Sequence, residues 1–242
     1  MRFRFRQAAV LAVACWFSPA LAAEPAPVCD SAAVQRIAAT TTENLRDLFG
    51  SSVPPPFVVL HRSLVQLHAA GGQPADATSE GFYDAERKTI NLACDAQGLE
   101  RIARHETAHH YILQAFGEIP SWLDEGIASY METAPAVNGG RLREFQYLLR
   151  RGRLPRLADL LQDRRRVHLA SSAYAAAWGF VYVMLHADRS GIQARRRDTL
   201  RTMLAGGDSP VLFGAMVADE GVSFADWERA WIRTLWDMEA PS

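Results

Sequence analysis

Neither charge is in excess in this chain, cysteines are scarce, and no apolar run is long. The formal net charge of the 242 residues is −1, which excludes the strongly basic footprint of a nucleic-acid binder. The stretches Arg164-Arg165-Arg166 and Arg195-Arg196-Arg197 are short and flanked by helical patterns, so they read as solvated helix faces. The apolar run at residues 8–17 is too short to span a bilayer, and no stable membrane insertion is expected. There is no internal repeat and no long linker. Neither a carbohydrate module nor a peptidoglycan-binding repeat is visible, so the sequence leaves the substrate open. Residues 24–55 are short for a latency propeptide.

What is present begins with an export signal. Arg2, Arg4 and Arg6 precede the apolar run, and Ala20-Leu21-Ala22 forms an A-x-A cleavage site. Cleavage after Ala22 or Ala23 is expected, with residues 24–242 forming one domain in the periplasm or outside the cell. Loss of the three arginines takes the formal charge from −1 to −4. Cys15 lies inside the apolar run, which continues past it, and Val13 and Ala14 fit a lipoprotein signal poorly; lipid anchoring is not expected. Cys29 and Cys94 remain. In an oxidising compartment such a pair reads as a disulfide, the alternative being two unpaired buried thiols.

Hydrophobic periodicity predicts a few strands followed by many helices, an α+β arrangement. Asp30 or Ser31 caps a helix that runs to Phe49 and stops at Gly50. Pro54-Pro55-Pro56 forces extended backbone, and Phe57-Val58-Val59-Leu60 reads as a buried strand. Residues 71–80 read as a loop. Gly81-Phe82-Tyr83 and Thr89-Ile90-Asn91-Leu92 flank residues 84–88 as a hairpin. A helix then runs from Leu99 to Phe116 and ends at Gly117, and another begins at Pro120 and Ser121, with Asp124 completing a capping-box pattern. Further helices are expected at 141–151, 157–161, 172–188, 192–205, 210–218 and 224–238.

Within the 99–116 helix lies His105-Glu106-Thr107-Ala108-His109, an H-E-x-x-H pattern. Side chains at i and i+4 lie one above the other on a helix, so both imidazoles reach one metal ion, and Glu106 projects beside them as a general base. Catalytic zinc commonly takes three protein ligands and leaves a position for water. No third histidine follows at H-E-x-x-H-x-x-G-x-x-H spacing, which leaves Glu118, Glu125 and Glu132. Glu118 lies in the turn. Glu125 is one turn into the next helix, where a short connection brings it back over the first, and Glu132 is almost two turns further. Glu125 is the favoured ligand, for one Zn²⁺ per chain. Gly126 and Ala128 are small enough to permit close helix approach.

The two-part pattern, His105 to His109 followed by Trp122-Leu123-Asp124-Glu125-Gly126-Ile127-Ala128-Ser129-Tyr130, resembles the gluzincin metallopeptidases. It is similar to W-L-x-E-G-x-A-x-Y of the zinc aminopeptidases, whose Glu before Gly is the third zinc ligand. The spacing departs: 15 residues separate His109 from Glu125, against about 18 there, and the Gly-x-Met-Glu-Asn substrate-amine motif is missing. The closer resemblance is to small secreted bacterial peptidase-MA-like domains, over residues 56–238. It implies a zincin-like fold, with a small N-terminal mixed sheet, an active-site helix and a mostly helical C-terminal part.

The resemblance also implies that Tyr174, opening an apolar helix, donates to the oxyanion; an ordinary buried aromatic is the alternative reading. The implied activity is zinc-dependent hydrolysis of a peptide or protein. Thr89 to Leu92 is expected to be an edge strand that pairs with the substrate. The competing reading is a non-catalytic, zinc-braced domain that binds envelope proteins.

The other histidines have plainer expectations. His110 points about 100° away from His109. His61 and His68 are expected at the surface, and His168 could line the cleft. His186 is expected to be hydrogen-bonded in the core. Trp178, Trp227, Trp231 and Trp236 are expected to pack in the core.

Overall fold

The computed structural model describes residues 29–71, 79–164, 169, 171–186 and 190–241. The expected signal segment, Cys15, His168 and Arg165-Arg166 lie outside the described residues. The fold is mixed α+β and mostly helical, with one small three-stranded sheet. No helix among the described residues is long and apolar enough to cross a membrane.

Helix α1 (Ser31–Phe49) starts where Asp30 accepts a hydrogen bond from the Ala33 amide, 3.0 Å. It stops at Gly50, whose φ of 86° closes the helix in the left-handed region that glycine adopts without strain. Next come β1 (Phe57–His61), α2 (Leu64–Gly71), β2 (Gly81–Asp84) and β3 (Thr89–Ala93). The short helix α2 fills the stretch between the first strand and the expected loop, for which the sequence predicted no element; residues 72–78 of that loop lie outside the described residues.

Strand β3 lies in the middle of the sheet, parallel to β1 and antiparallel to β2. The expectation that Thr89–Leu92 forms an edge is therefore wrong: both its ladders are already taken, and the edges are β1 and β2. Nor is β1 buried throughout. Val58 and Leu60 face the sheet-side core, whereas Phe57 is 74% exposed, because an edge strand covered on one face turns alternate residues outward. Gln35 of α1 bridges the outer edge of β1, donating to the Pro56 carbonyl at 2.8 Å and accepting from the Val58 amide at 3.2 Å. The disulfide Cys29–Cys94 joins the start of α1 to the end of β3, with Cα atoms 5.6 Å apart.

Helices α3 (Leu99–Phe116) and α4 (Ser121–Met131) form a hairpin. Beyond it lie α5 (Gly139–Arg150), α6 (Leu157–Gln162), α7 (Ser171–Leu185), α8 (Ser190–Leu204), α9 (Ser209–Asp219) and α10 (Phe224–Asp237). The apolar α7 packs along α4. A Cβ added at Gly126 would stand 3.0 Å from the Ala177 carbonyl oxygen, so the small residue permits close approach to α7 rather than to α3. Trp178, Trp227 and Trp231 are buried as expected. Trp236 is not: it is 43% exposed on the outer face of α10, with the Arg150 guanidinium over its ring.

Candidate metal centre

Helix α3 carries the two histidines on one face, and α4 returns antiparallel to it, so residues late in α3 meet residues early in α4. His105, His109 and Glu125 converge, with one ligand atom from each lying within 4.8 Å of the others. The Nε2 atoms of the two rings are 3.1 Å apart, and Glu125 Oε2 is 3.4 Å from His105 Nε2 and 3.8 Å from His109 Nε2. Ligands of a tetrahedral zinc, each about 2.0–2.1 Å from the ion, stand about 3.3 Å from one another.

Both rings are oriented by a carboxylate on their other nitrogen. His109 Nδ1 lies 2.9 Å from Asp124 Oδ1, and His105 Nδ1 lies 3.0 Å from Glu132 Oε1. A carboxylate only accepts, so each Nδ1 carries a proton, and a ring that gives up its second proton presents the lone pair of Nε2 toward the other. Two Nε2 atoms and a carboxylate oxygen facing one point are favoured when positive charge, a proton or a metal ion, lies among them. Glu125 Oε2 is buried without a hydrogen-bond partner, which costs free energy that a bound cation would offset. This donor set, two imidazoles and one carboxylate, could hold a divalent metal ion.

The same field favours charge at the two imidazoles and at Glu125 and Glu132. Burial opposes the imidazolium form of His105, but the carboxylates of Glu125 and Glu132 outweigh it and push its pKa up to about 9. At His109 burial is outweighed by Asp124, with Glu106 and Glu125 behind it, and the pKa rises to about 10. Burial likewise works against the carboxylates. The imidazoles nonetheless hold Glu125 below the usual range, and His105, Arg141 and Asn138 hold Glu132 down at about 2. Glu106 goes the other way: burial raises it, and the nearby imidazoles offset only part of that rise.

Tyr174, in the first turn of α7, donates its hydroxyl to Glu125 Oε1 at 3.2 Å. Burial and the Glu125 charge push its pKa up to about 12, so it stays protonated and able to donate. His105, Glu106, His109, Glu125 and Tyr174 all line one cleft of ≈ 1010 Å³. The structure thus brings together every residue expected at the site. Glu118 also lines the cleft, in the turn between α3 and α4, outside the His105–His109–Glu125 group.

Two site residues carry a different role from the one expected. Asp124 is not a capping partner: the α4 N-cap is Pro120, Ser121 makes no capping bond, and the Asp124 carboxylate is turned to His109. Glu132 is neither a ligand nor a bystander. It lies two turns beyond Glu125 on the same face, buried, and receives Asn138 Nδ2 at 2.8 Å as well as His105. The i, i+7 spacing was the available signal; what it could not show is how far along α3 the second carboxylate lands.

The remaining histidines are held by structure. His110 bonds the Tyr83 hydroxyl at 3.2 Å and the Pro54 carbonyl at 2.9 Å, pinning β2 and the chain before β1 to α3. His186 bonds the Tyr130 hydroxyl at 3.1 Å and stacks on Tyr182, as expected of a hydrogen-bonded residue. His68 is buried rather than at the surface, because its Nε2 reaches the Ser79 carbonyl at 2.7 Å. His61 is half-buried and bonds Asn91. No protein-family model and no curated protein matches the chain.

Proposed function

We propose that this protein is an exported zinc-dependent peptide-bond hydrolase with a zincin-like fold of the gluzincin type. The observation that carries the reading is the convergence of Glu125 Oε2, which makes no hydrogen bond, on two imidazole nitrogens whose opposite nitrogens are held by Asp124 and Glu132. His105, His109 and Glu125 would hold the ion. When bound, it lowers the pKa of a water and polarises a carbonyl. Glu106, buried on the same helix and raised in pKa by that burial, accepts the water proton and later delivers it to the leaving amine. Tyr174, protonated at neutral pH, turns its hydroxyl from Glu125 to the oxygen on which negative charge develops.

Strand β2 borders the cleft and is an edge strand among the described residues, so an extended peptide pairs with β2 and not with β3. The disulfide Cys29–Cys94 supports residence in an oxidising compartment.

The test is metal analysis combined with hydrolysis of a quenched peptide. The wild-type chain should bind one zinc and lose turnover to a chelator. Glu106→Gln should keep the zinc and lose turnover by a factor of roughly 10²–10⁴. His105→Ala should lose the zinc itself. A metal-free wild type, or unchanged turnover in Glu106→Gln, overturns the reading; zinc binding with no cleavage of any peptide points instead to a braced binding domain.

A further inference from the structure

Apart from the two imidazoles, the cations lining the cleft are gathered at one end. Arg101 lies one turn before His105 on α3, and Arg141 lies in the first turn of α5. The other end is bordered by Ile112, Leu113 and Ile119.

Both guanidiniums stand near Glu132, Arg101 through one long hydrogen bond and Arg141 through a looser ion-pair contact. Arg101 Nη1 is 3.3 Å from Oε2, and Arg141 Nη2 is 3.7 Å from Oε1. A guanidinium engaged with a carboxylate makes two parallel bonds of about 2.7–2.9 Å. Glu132 has closer partners, His105 Nδ1 at 3.0 Å and Asn138 Nδ2 at 2.8 Å. The second acid near Arg101, Glu80, is 3.8 Å away. Arg141 gives Nη1 to Glu144 at 3.1 Å and keeps Nη2 for the loose Glu132 contact. Its guanidinium also lies over the Tyr174 ring, 5.2 Å from the centroid, which fixes it beside the reacting centre. The side chains are 46% and 24% exposed, so an incoming group can reach both.

We propose that Arg101 and Arg141 form a carboxylate subsite, and that preferred substrates place a carboxylate there, from an acidic side chain or from a chain terminus. The proposal rests on the peptide-hydrolase reading for the orientation of the ligand in the cleft. Glu132 acts as the hub: it holds both guanidiniums in place while most of its own hydrogen-bonding capacity goes to His105 and Asn138.

The experiment uses the zinc-loaded Glu106→Gln protein and calorimetric binding of three peptides of one sequence: a neutral C-terminal amide, the same peptide with a free C-terminal carboxylate, and the amide with one internal Glu. At least one carboxylate-bearing peptide should bind roughly tenfold or more tighter than the neutral amide. That gap should close in Arg101→Gln and in Arg141→Gln placed in the same background, and Arg101→Lys should keep part of it; thermal melts verify that each variant is folded. The free-carboxylate arm identifies a chain terminus, and the Glu arm identifies a side chain. Equal binding of all three peptides, or a gap that persists in both Gln variants, overturns the proposal. A carboxylate preference without cleavage by the wild type sinks the hydrolase reading alone, and cleavage of all three peptides at equal rates by the wild type sinks the subsite alone.

Discussion

Among the described residues the core divides into two hydrophobic clusters of unequal strength, and α3 belongs to both. The sheet-side cluster is small: Val34, Ala38, Ile90, Leu92, Ile102 and Ala103 are its buried residues. The helical cluster is large and rich in aromatics, with Trp122, Trp178, Phe180, Phe213, Trp227 and Trp231 fully or almost fully buried. The small cluster is reinforced by other means: the Cys29–Cys94 bridge, the Gln35 clamp on β1 and the His110 contacts to Tyr83 and Pro54. The large cluster relies on packing. Ile102 and Ala103 point one way along α3, while Ala108, Tyr111 and Ile112 point the other. His105, Glu106 and His109 lie at the seam between the two cores, lining the cleft. Buried charges are costly unless paired, and at this seam His105, His109, Glu125 and Glu132 each stand within ion-pair distance of a group of opposite character.

If that contrast is right, truncating an aromatic in the helical cluster should cost most. Trp178→Ala should lower stability by about 3–5 kcal/mol, read by denaturant unfolding. The sheet side should instead depend on its covalent bridge. Replacing Cys29 and Cys94 together by serine should remove about 2–4 kcal/mol, because the bridge spans a sequence separation of 65 residues. The same pair of substitutions should speed amide hydrogen exchange in β1 and β3 more than in α7; equal effects on both regions would erase the distinction between stapled and packed cores.

At the seam the expected effect is on metal rather than on folding. Asp124→Asn and Glu132→Gln should each weaken zinc binding by about 10–100-fold in a competitive chelator titration, since they orient the rings without touching the ion. Unaltered affinity in both would show that the rings are held by backbone packing alone. The smallest effect should come from Gly126→Ala. Helix propensity favours alanine by about 1 kcal/mol, but the added methyl meets the Ala177 carbonyl at 3.0 Å. A net loss of about 1 kcal/mol should follow, and a gain in the melting temperature would mean that α4 and α7 can move apart.

Local signals were legible where one residue type decides a local outcome. Asp30, Gly50 and Gly117 bound their helices because each meets a backbone need of the terminus itself. The hairpin around residues 84–88 and the histidine pair on α3 followed from period alone. Failures came where the outcome depended on a distant partner. Phe57 and Val59 look like core until β1 is known to be an edge strand covered on one face. His68 looks exposed until the Ser79 carbonyl arrives, and Trp236 looks buried until α10 turns it outward. Asp124 satisfies a capping pattern, but an ionised carboxylate gains more from the His109 N–H than from a helix amide that water can serve.

By itself the sequence determined the helix that carries His105, Glu106 and His109, because a spacing of four residues on one helix is fixed by backbone geometry. It also narrowed the third donor to three glutamates. Only the tertiary structure decided what each acid does. The antiparallel return of α4 sets Glu125 over the two Nε2 atoms, Asp124 behind one ring and Glu132 behind the other. That assignment depends on how α4 packs back on α3, which the cores on either side of α3 fix and a spacing of residues along one helix does not.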